Sequence, residues 1–114
     1  MVLLVVGDDV LARDGVVSAL RSFGCRVVTA RTGLDAINQA LLAAPTMIVV
    51  LEGARAWETI EQLRSRMHTR SVPLLGSCHL SREQEATAKE LGVVLVAAGD
   101  LDGLLDAVRG MSDR

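Results

Sequence analysis

The sequence contains no tyrosine, one phenylalanine and one tryptophan. Its core must therefore be filled by Val, Leu, Ile and Ala, and it has no aromatic platform on which nucleic-acid bases could stack. Basic residues are not in excess either: 12 Lys and Arg stand against 14 Asp and Glu, a formal charge of −2 at pH 7. That balance gives a phosphate backbone or an acidic membrane surface nothing to hold. We expect neither nucleic-acid binding by this chain alone nor membrane association. Cysteine is scarce. Cys25 and Cys78 are too few for a disulfide framework and lack metal-ligand spacing, so both read as buried or half-buried thiols in a reducing cytoplasm. The opening stretch MVLLVVGDD has no basic segment before it and is far too short to span a bilayer.

What is present points to a folded α/β domain. Half of the 114 residues are hydrophobic and 23% are charged, which excludes disorder by composition. One domain over residues 1–114 is the economical expectation. Short aliphatic runs occur at Val2–Val6, Arg26–Ala30, Met47–Leu51, Val72–Ser77 and Val93–Ala97, each bounded by Gly, Pro, Asp or Ser, as strands are.

Segments with helical spacing lie between them. Ala12, Val16, Ala19, Leu20 and Phe23 form a stripe at the 3.6-residue period, and Gly24 follows as a stop. A second helix is expected over Leu34–Ala43, buried through Leu34, Ile37, Ala40 and Leu41, with Thr32 or Gly33 near its cap and Pro45 beyond its end. A third runs over Trp57–Met67 with Ile60, Leu63 and Met67 inward. Ser81 and Gln84 match a capping box at the start of a fourth, which ends at Leu91-Gly92. The fifth starts at Asp100 or Leu101 and turns Leu101, Leu104, Leu105 and Val108 inward, ahead of the polar Met111-Ser112-Asp113-Arg114. Five strand–helix repeats require right-handed crossovers and a parallel sheet with helices on both faces.

Ligands of such sheets gather beyond the carboxyl ends of the strands. The residues expected there are Gly7-Asp8-Asp9, Leu51-Glu52-Gly53, Ser77-Cys78-His79 and Ala98-Gly99-Asp100. Val5-Val6-Gly7-Asp8 at the end of the first strand, Gly24 before the second, Thr29-Ala30-Arg31-Thr32-Gly33 after it, Pro45, Val72-Pro73 and Leu91-Gly92 recur together at one spacing. On these features the whole chain resembles the receiver domain of bacterial response regulators. The resemblance implies a flavodoxin-like three-layer α/β/α sandwich with a five-stranded parallel sheet, (βα)5, in a cytoplasmic two-component signalling protein. It also implies a protein partner: a kinase, an effector domain or a second copy.

The same resemblance implies a reaction pocket, and here the match fails residue by residue. The family's phosphoryl-accepting Asp falls on Leu51, whether counted from Pro45 or from Gly33. The first acid of its metal-binding pair falls on Gly7, leaving Asp8 as the single direct match and a weak metal candidate, with Asp9 beside it. The family's Thr or Ser falls on Cys78, or on Ser77 one residue earlier, and its strand-five Lys has no counterpart around Ala97. Phosphoryl transfer needs a positioned divalent cation and cationic groups to offset charge on the transferred oxygens. The expectation is therefore a pseudo-receiver that is not an enzyme, carries no cofactor and acts by protein contact. Two other readings stand beside it: a phosphoacceptor using Glu52, Asp8 or Asp9 with Mg²⁺, and a flavodoxin-like module holding a small ligand. Glu52, one residue past the acceptor position, reads either as a solvated loop acid or as a standing imitation of a phosphorylated Asp.

Other candidates are set aside or left open. His68 and His79 have no ligand partner at metal spacing and read as surface residues. Cys78 next to His79 is not a catalytic pair, because neighbours on extended backbone point oppositely. Gly7 belongs to neither a dinucleotide nor a Walker pattern. Trp57, after Gly53-Ala54-Arg55-Ala56, reads either as a hydrophobic plug or, with Arg55, as a partner contact. The Val93–Ala97 strand beside the last two helices offers a smooth, weakly charged face of the kind receiver domains use for pairing.

Overall fold

Val2–Val6 (β1) is aliphatic at every position, and in the computed structural model, which describes residues 1–53 and 55–112, it joins a five-stranded parallel sheet. Strands that are apolar throughout suit a sheet covered on both faces. The elements alternate without exception. After β1 come α1 (Val10–Ser22), β2 (Arg26–Ala30), α2 (Gly33–Ala43) and β3 (Met47–Leu51); α3 (Ala56–Ser65), β4 (Leu74–Ser77), α4 (Arg82–Glu90), β5 (Val93–Val96) and α5 (Leu101–Ser112) follow. The strand order is β2-β1-β3-β4-β5, so the winding reverses between β1 and β3. No helix among the described residues is long and apolar enough to cross a membrane.

Strand alternation divides the core into two layers. Leu4, Val6, Ile48 and Val50 pack with Ala36 and Ile37 of α2, Ile60 and Leu63 of α3 and Ala88 of α4. Leu3, Val5, Met47, Val49 and Leu51 pack with Val16, Val17 and Leu20 of α1 and with Leu104 and Val108 of α5. Each aliphatic side chain taken fully out of water in this way contributes about 1.5–3 kcal/mol before chain entropy is counted.

Local chemistry sets the helix ends. The Asp9 carboxylate accepts the amide N–H groups of Leu11 and Ala12, and Thr32 accepts that of Asp35. Ser81 and Gln84 form the reciprocal capping box read from the sequence. Gly24 takes φ +82° just past α1, a conformation that side chains with a Cβ resist.

Several expected faces are corrected. Leu34 and Leu41 of α2 are 64% and 67% exposed; Gly33, Ala36, Ile37 and Ala40 form its buried side. Small residues let this helix approach the sheet closely, and the leucines are turned outward as a result. On α1, Ala12 and Phe23 are exposed and Val17 takes part in the core. The Phe23 ring lies under the Arg109 guanidinium, 4.5 Å from its centroid. Met67 lies beyond the end of α3 in solvent, and Leu101 is exposed at the start of α5. β4 begins at Leu74, two residues after the expected start, and β5 ends at Val96, one residue early.

Arg64 at the end of α3 holds the segment leading into β4. Its guanidinium donates to the carbonyls of Thr69, Arg70 and Val72, and its Nε donates to Leu91 at the end of α4.

Candidate functional site

The winding reversal brings the carboxyl ends of β1 and β3 side by side, with Val6 opposite Val50 in the ladder. In open α/β sheets this crevice is where ligands bind. β1 leads into Gly7, whose N–H donates to the Ala30 carbonyl at 3.0 Å. β3 ends in Leu51, which is 7% exposed and belongs to the α1/α5 side of the core.

The acidic residues here are engaged in different ways. Asp9 is consumed as the cap of α1, its Oδ1 accepting from Leu11 at 3.0 Å and from Ala12 at 3.2 Å. Asp8 is exposed and overhangs the β3–α3 loop: a Cβ added to Gly53 would lie 2.6 Å from its Oδ1. Glu52 turns away from both toward the β4–α4 loop. Its Oε1 accepts the Gly53 N–H at 3.2 Å, its Oε2 accepts the His79 N–H at 2.9 Å, and the His79 ring stands 3.5 Å away. Glu52 thus ties together the loops that follow β3 and β4.

Leu51 pairs with Ser77 across the sheet, and the Ser77 hydroxyl donates to the Ala97 carbonyl at 3.2 Å. Cys78 is buried while His79 is exposed. Burial, with a smaller effect of the Glu52 charge, pushes the Cys78 thiol up to about 11. A thiol so shifted carries almost no thiolate at neutral pH and is a poor nucleophile. Ala97 is exposed beyond β5 and presents no cation to the crevice.

Leu51 also separates two hollows. One, of about 50 Å³, lies between Gly7, Asp8, Thr32 and Gly53, large enough only for a few water molecules. The other, about 510 Å³, opens between α1 and α5 over Leu11, Val16, Leu51 and Leu104, with Glu52 and Ser77 at its inner end.

These residues do not make a divalent-cation site. Mg²⁺ requires near-octahedral oxygen donors, anchored by one or two carboxylates. Leu51 ends β3 in an alkyl group, Asp9 is committed to helix amides, and Glu52 faces another loop. The Arg13 guanidinium donates to the Gly7 carbonyl at 3.0 Å, so a positive charge already lies against the β1–α1 turn. Among the described residues no three of His, Cys, Asp and Glu are grouped so as to hold a metal ion.

The candidate contact residues are less tightly determined. Trp57 is half-buried and packs against the α2/α3 side of the core. Arg55 precedes α3 without a side-chain capping bond and is exposed. Ala54, between Gly53 and Arg55, and the terminal Asp113 and Arg114 lie outside the described residues. His68 and His79 are both exposed.

Sequence reasoning missed Arg13, Arg64 and the Glu52 clasp. For Arg13 a signal existed, since a cation near a helix start opposes the dipole and implies some other partner. Glu52 gave none, because its partner is a backbone amide 27 residues away.

Comparison with known proteins places this geometry in a recognised fold. A response regulator signal receiver domain from Bermanella marisrubri superposes with a TM-score of 0.82 at 21% identity, covering 97% of this chain and 97% of that one. The chemotaxis response regulator CheY4 of Vibrio cholerae gives 0.78 at 22% identity, with 95% of each chain covered. The N-terminal domain of a response regulator receiver protein from Methanoculleus marisnigri JR1 gives 0.74 at 22% identity, covering 99% of this chain and 97% of that one. The chain therefore has the flavodoxin-like fold of receiver domains over nearly its full length. No family model matches the sequence, and no curated protein matches it.

Proposed function

We propose that this chain is a receiver-type module of two-component signalling that acts in the cytoplasm by binding a protein partner, without phosphoryl transfer. One observation carries the reading: the last residue of β3 is Leu51, buried in the α1/α5 core beside a glycine at the end of β1. An alkyl group cannot form an acyl phosphate, and no carboxylate has been moved into its place. Of the cations near the site, Arg13 is held by a backbone carbonyl of the β1–α1 turn, while Arg31 and Arg55 border the hollow beside Asp8. Without acceptor, metal donors and strand-five lysine, the groups that offset charge in phosphoryl transfer are missing together. The module is accordingly not an enzyme.

The partner surface in this reading is the α4–β5–α5 side, where Leu95 and Val96 are half-buried and Ala97 is exposed beside a groove reaching Cys78 and Leu80. Receiver domains, which this fold matches, pair through that face. Trp57 and Arg55 provide a second contact on α3.

Incubation with a small phosphodonor and Mg²⁺, followed by intact-mass measurement, tests the proposal. The expected result is an unchanged mass. A phosphoryl increment abolished by Glu52→Gln or Asp8→Asn would establish a working acceptor instead. A small molecule retained in native mass spectra of freshly purified protein would favour a ligand-holding module.

A further inference from the structure

Glycine in the middle of a helix weakens it relative to alanine, so Gly15 in α1 calls for a reason. Nothing in the fold supplies one. A Cβ built on Gly15 meets no atom within 4 Å, and its φ is not in the positive region. What the missing side chain leaves open is the groove of about 510 Å³ between α1 and α5, which Gly15 and Ala12 line from the α1 side. Leu51, Val16 and Leu104 in its lining are almost fully buried, while Leu11 and Leu101 are 84% and 40% exposed. That volume and that apolar lining suit an organic ligand, not a few waters.

The charged groups in the lining decide the charge of the occupant. Asp9, Glu52 and Asp100 supply three carboxylates, and among the described residues the lining contains no Lys, Arg or His. The His79 imidazole, 3.5 Å from Glu52 Oε2, lies outside it. Asp9 and Asp100 cap their helices through Oδ1 alone, Asp9 accepting from Leu11 and Ala12 and Asp100 from Gly103. Each keeps its second oxygen as an acceptor. An anion entering the groove would meet only like charge. An ammonium would find charge-assisted acceptors beside an apolar floor.

We infer that the α1/α5 groove binds a small organic cation, an alkyl or aryl-alkyl amine, with its hydrocarbon on Leu51, Val16 and Leu104 and its ammonium toward the carboxylates. Affinity comes from the apolar contact and selectivity from the charge. The inference goes beyond the reading above and does not rest on it: phosphoryl mass and amine binding are measured independently.

Amide NMR titration of the intact, isotope-labelled chain tests this with three probes that share one hydrocarbon body: phenylbutylamine, phenylbutanol and phenylbutyrate. The amine should shift the amide resonances of Leu11, Gly15, Glu52 and Leu101 with a dissociation constant of about 0.1–1 mM, the range for so small a probe. The alcohol should bind at least about fivefold more weakly, and the carboxylate should not bind measurably. Gly15→Leu fills the groove without a clash at its Cβ and should abolish binding of amine and alcohol alike. Asn caps a helix as well as Asp does, so Glu52→Gln with Asp100→Asn removes two charges and keeps the cap. That double variant should lose most of the amine's advantage over the alcohol. In each variant, unchanged resonances away from the groove check that the fold is kept. Equal binding of the three probes, shifts confined to another surface, or no shift at all overturns the inference. So does a folded Gly15→Leu chain that binds the amine as the native chain does, or an amine advantage undiminished in the double variant.

Discussion

Gly7 and Leu51 are complementary across the ends of β1 and β3: a Cβ added at Gly7 would lie 3.3 Å from both Cβ and Cδ1 of Leu51. The backbone at Gly7 is not in the left-handed region, so the chain conformation itself does not demand glycine there. The leucine does. The glycine and the leucine are therefore one packing solution, in which an alkyl side chain occupies the space that a side chain at position 7 would need.

This coupling is measurable. Gly7→Ala should destabilise the fold by about 1–3 kcal/mol through overpacking. In a Leu51→Ala background the same change should cost much less, because the obstructing atoms are gone. Urea unfolding of the four proteins in the cycle gives the coupling energy. Additive effects would show that the two residues do not constrain each other. Leu51→Asp alone should cost about 2–4 kcal/mol, since it places a carboxylate against the apolar packing of α1 and α5.

Glu52 joins two loops through a backbone amide. Glu52→Ala should leave the His79 N–H without its partner and speed its hydrogen exchange at least several-fold. Global stability should change by no more than about 1 kcal/mol, because the pair is solvent-exposed. Glu52→Gln keeps a neutral acceptor and should preserve most of the protection. If Glu52 imitates a phosphorylated side chain, Gln should nonetheless alter partner affinity. Equal affinity of the two proteins would reduce the residue to a loop tie.

The thiol of Cys78 makes stability depend on alkaline pH. Its proton is held more tightly in the folded chain, where burial raises it to about 11, than at the ordinary value of 9.0 in the unfolded chain. The unfolded state therefore loses its proton first. The corresponding stability is fully present below pH 9 and is lost as pH rises toward 11. Thermal unfolding of the native protein and of Cys78→Ala across this range should show a steeper alkaline decline for the native chain. Parallel curves would remove the linkage. At neutral pH Cys78 should resist alkylation until the protein unfolds, while half-buried Cys25 reacts first.

Arg64 closes the α3–β4 connection through three of its backbone carbonyls and ties it to a fourth, that of Leu91 at the end of α4. Arg64→Ala should cost about 1.5–3 kcal/mol, the range for hydrogen bonds to charged groups. Arg64→Lys should recover little, since a single ammonium cannot reproduce the planar fork. Chemical denaturation with an unchanged m-value is the check. A loss below about 0.5 kcal/mol would mean that water satisfies these carbonyls equally well.

The alternation of strands and helices, the caps at Thr32 and Ser81 and the stop at Gly24 could be read from the chain because each is decided within a few residues. Period, side-chain hydrogen bonds and positive φ are local properties. The absence of a carboxylate at Leu51 was legible for the same reason: a residue's chemistry does not depend on its surroundings. Which side of α2 is buried was not legible. Leu34, Ile37 and Leu41 satisfy the helical period as well as Ala36, Ile37 and Ala40 do, and only the short distance between helix and sheet selects the small residues. The pairing of Gly7 with Leu51, of Glu52 with the His79 amide and of Arg13 with the Gly7 carbonyl likewise arose from folding. Each joins loops or elements through contacts that no local pattern encodes, and each is decided by the geometry of the strand ends once the sheet has been assembled.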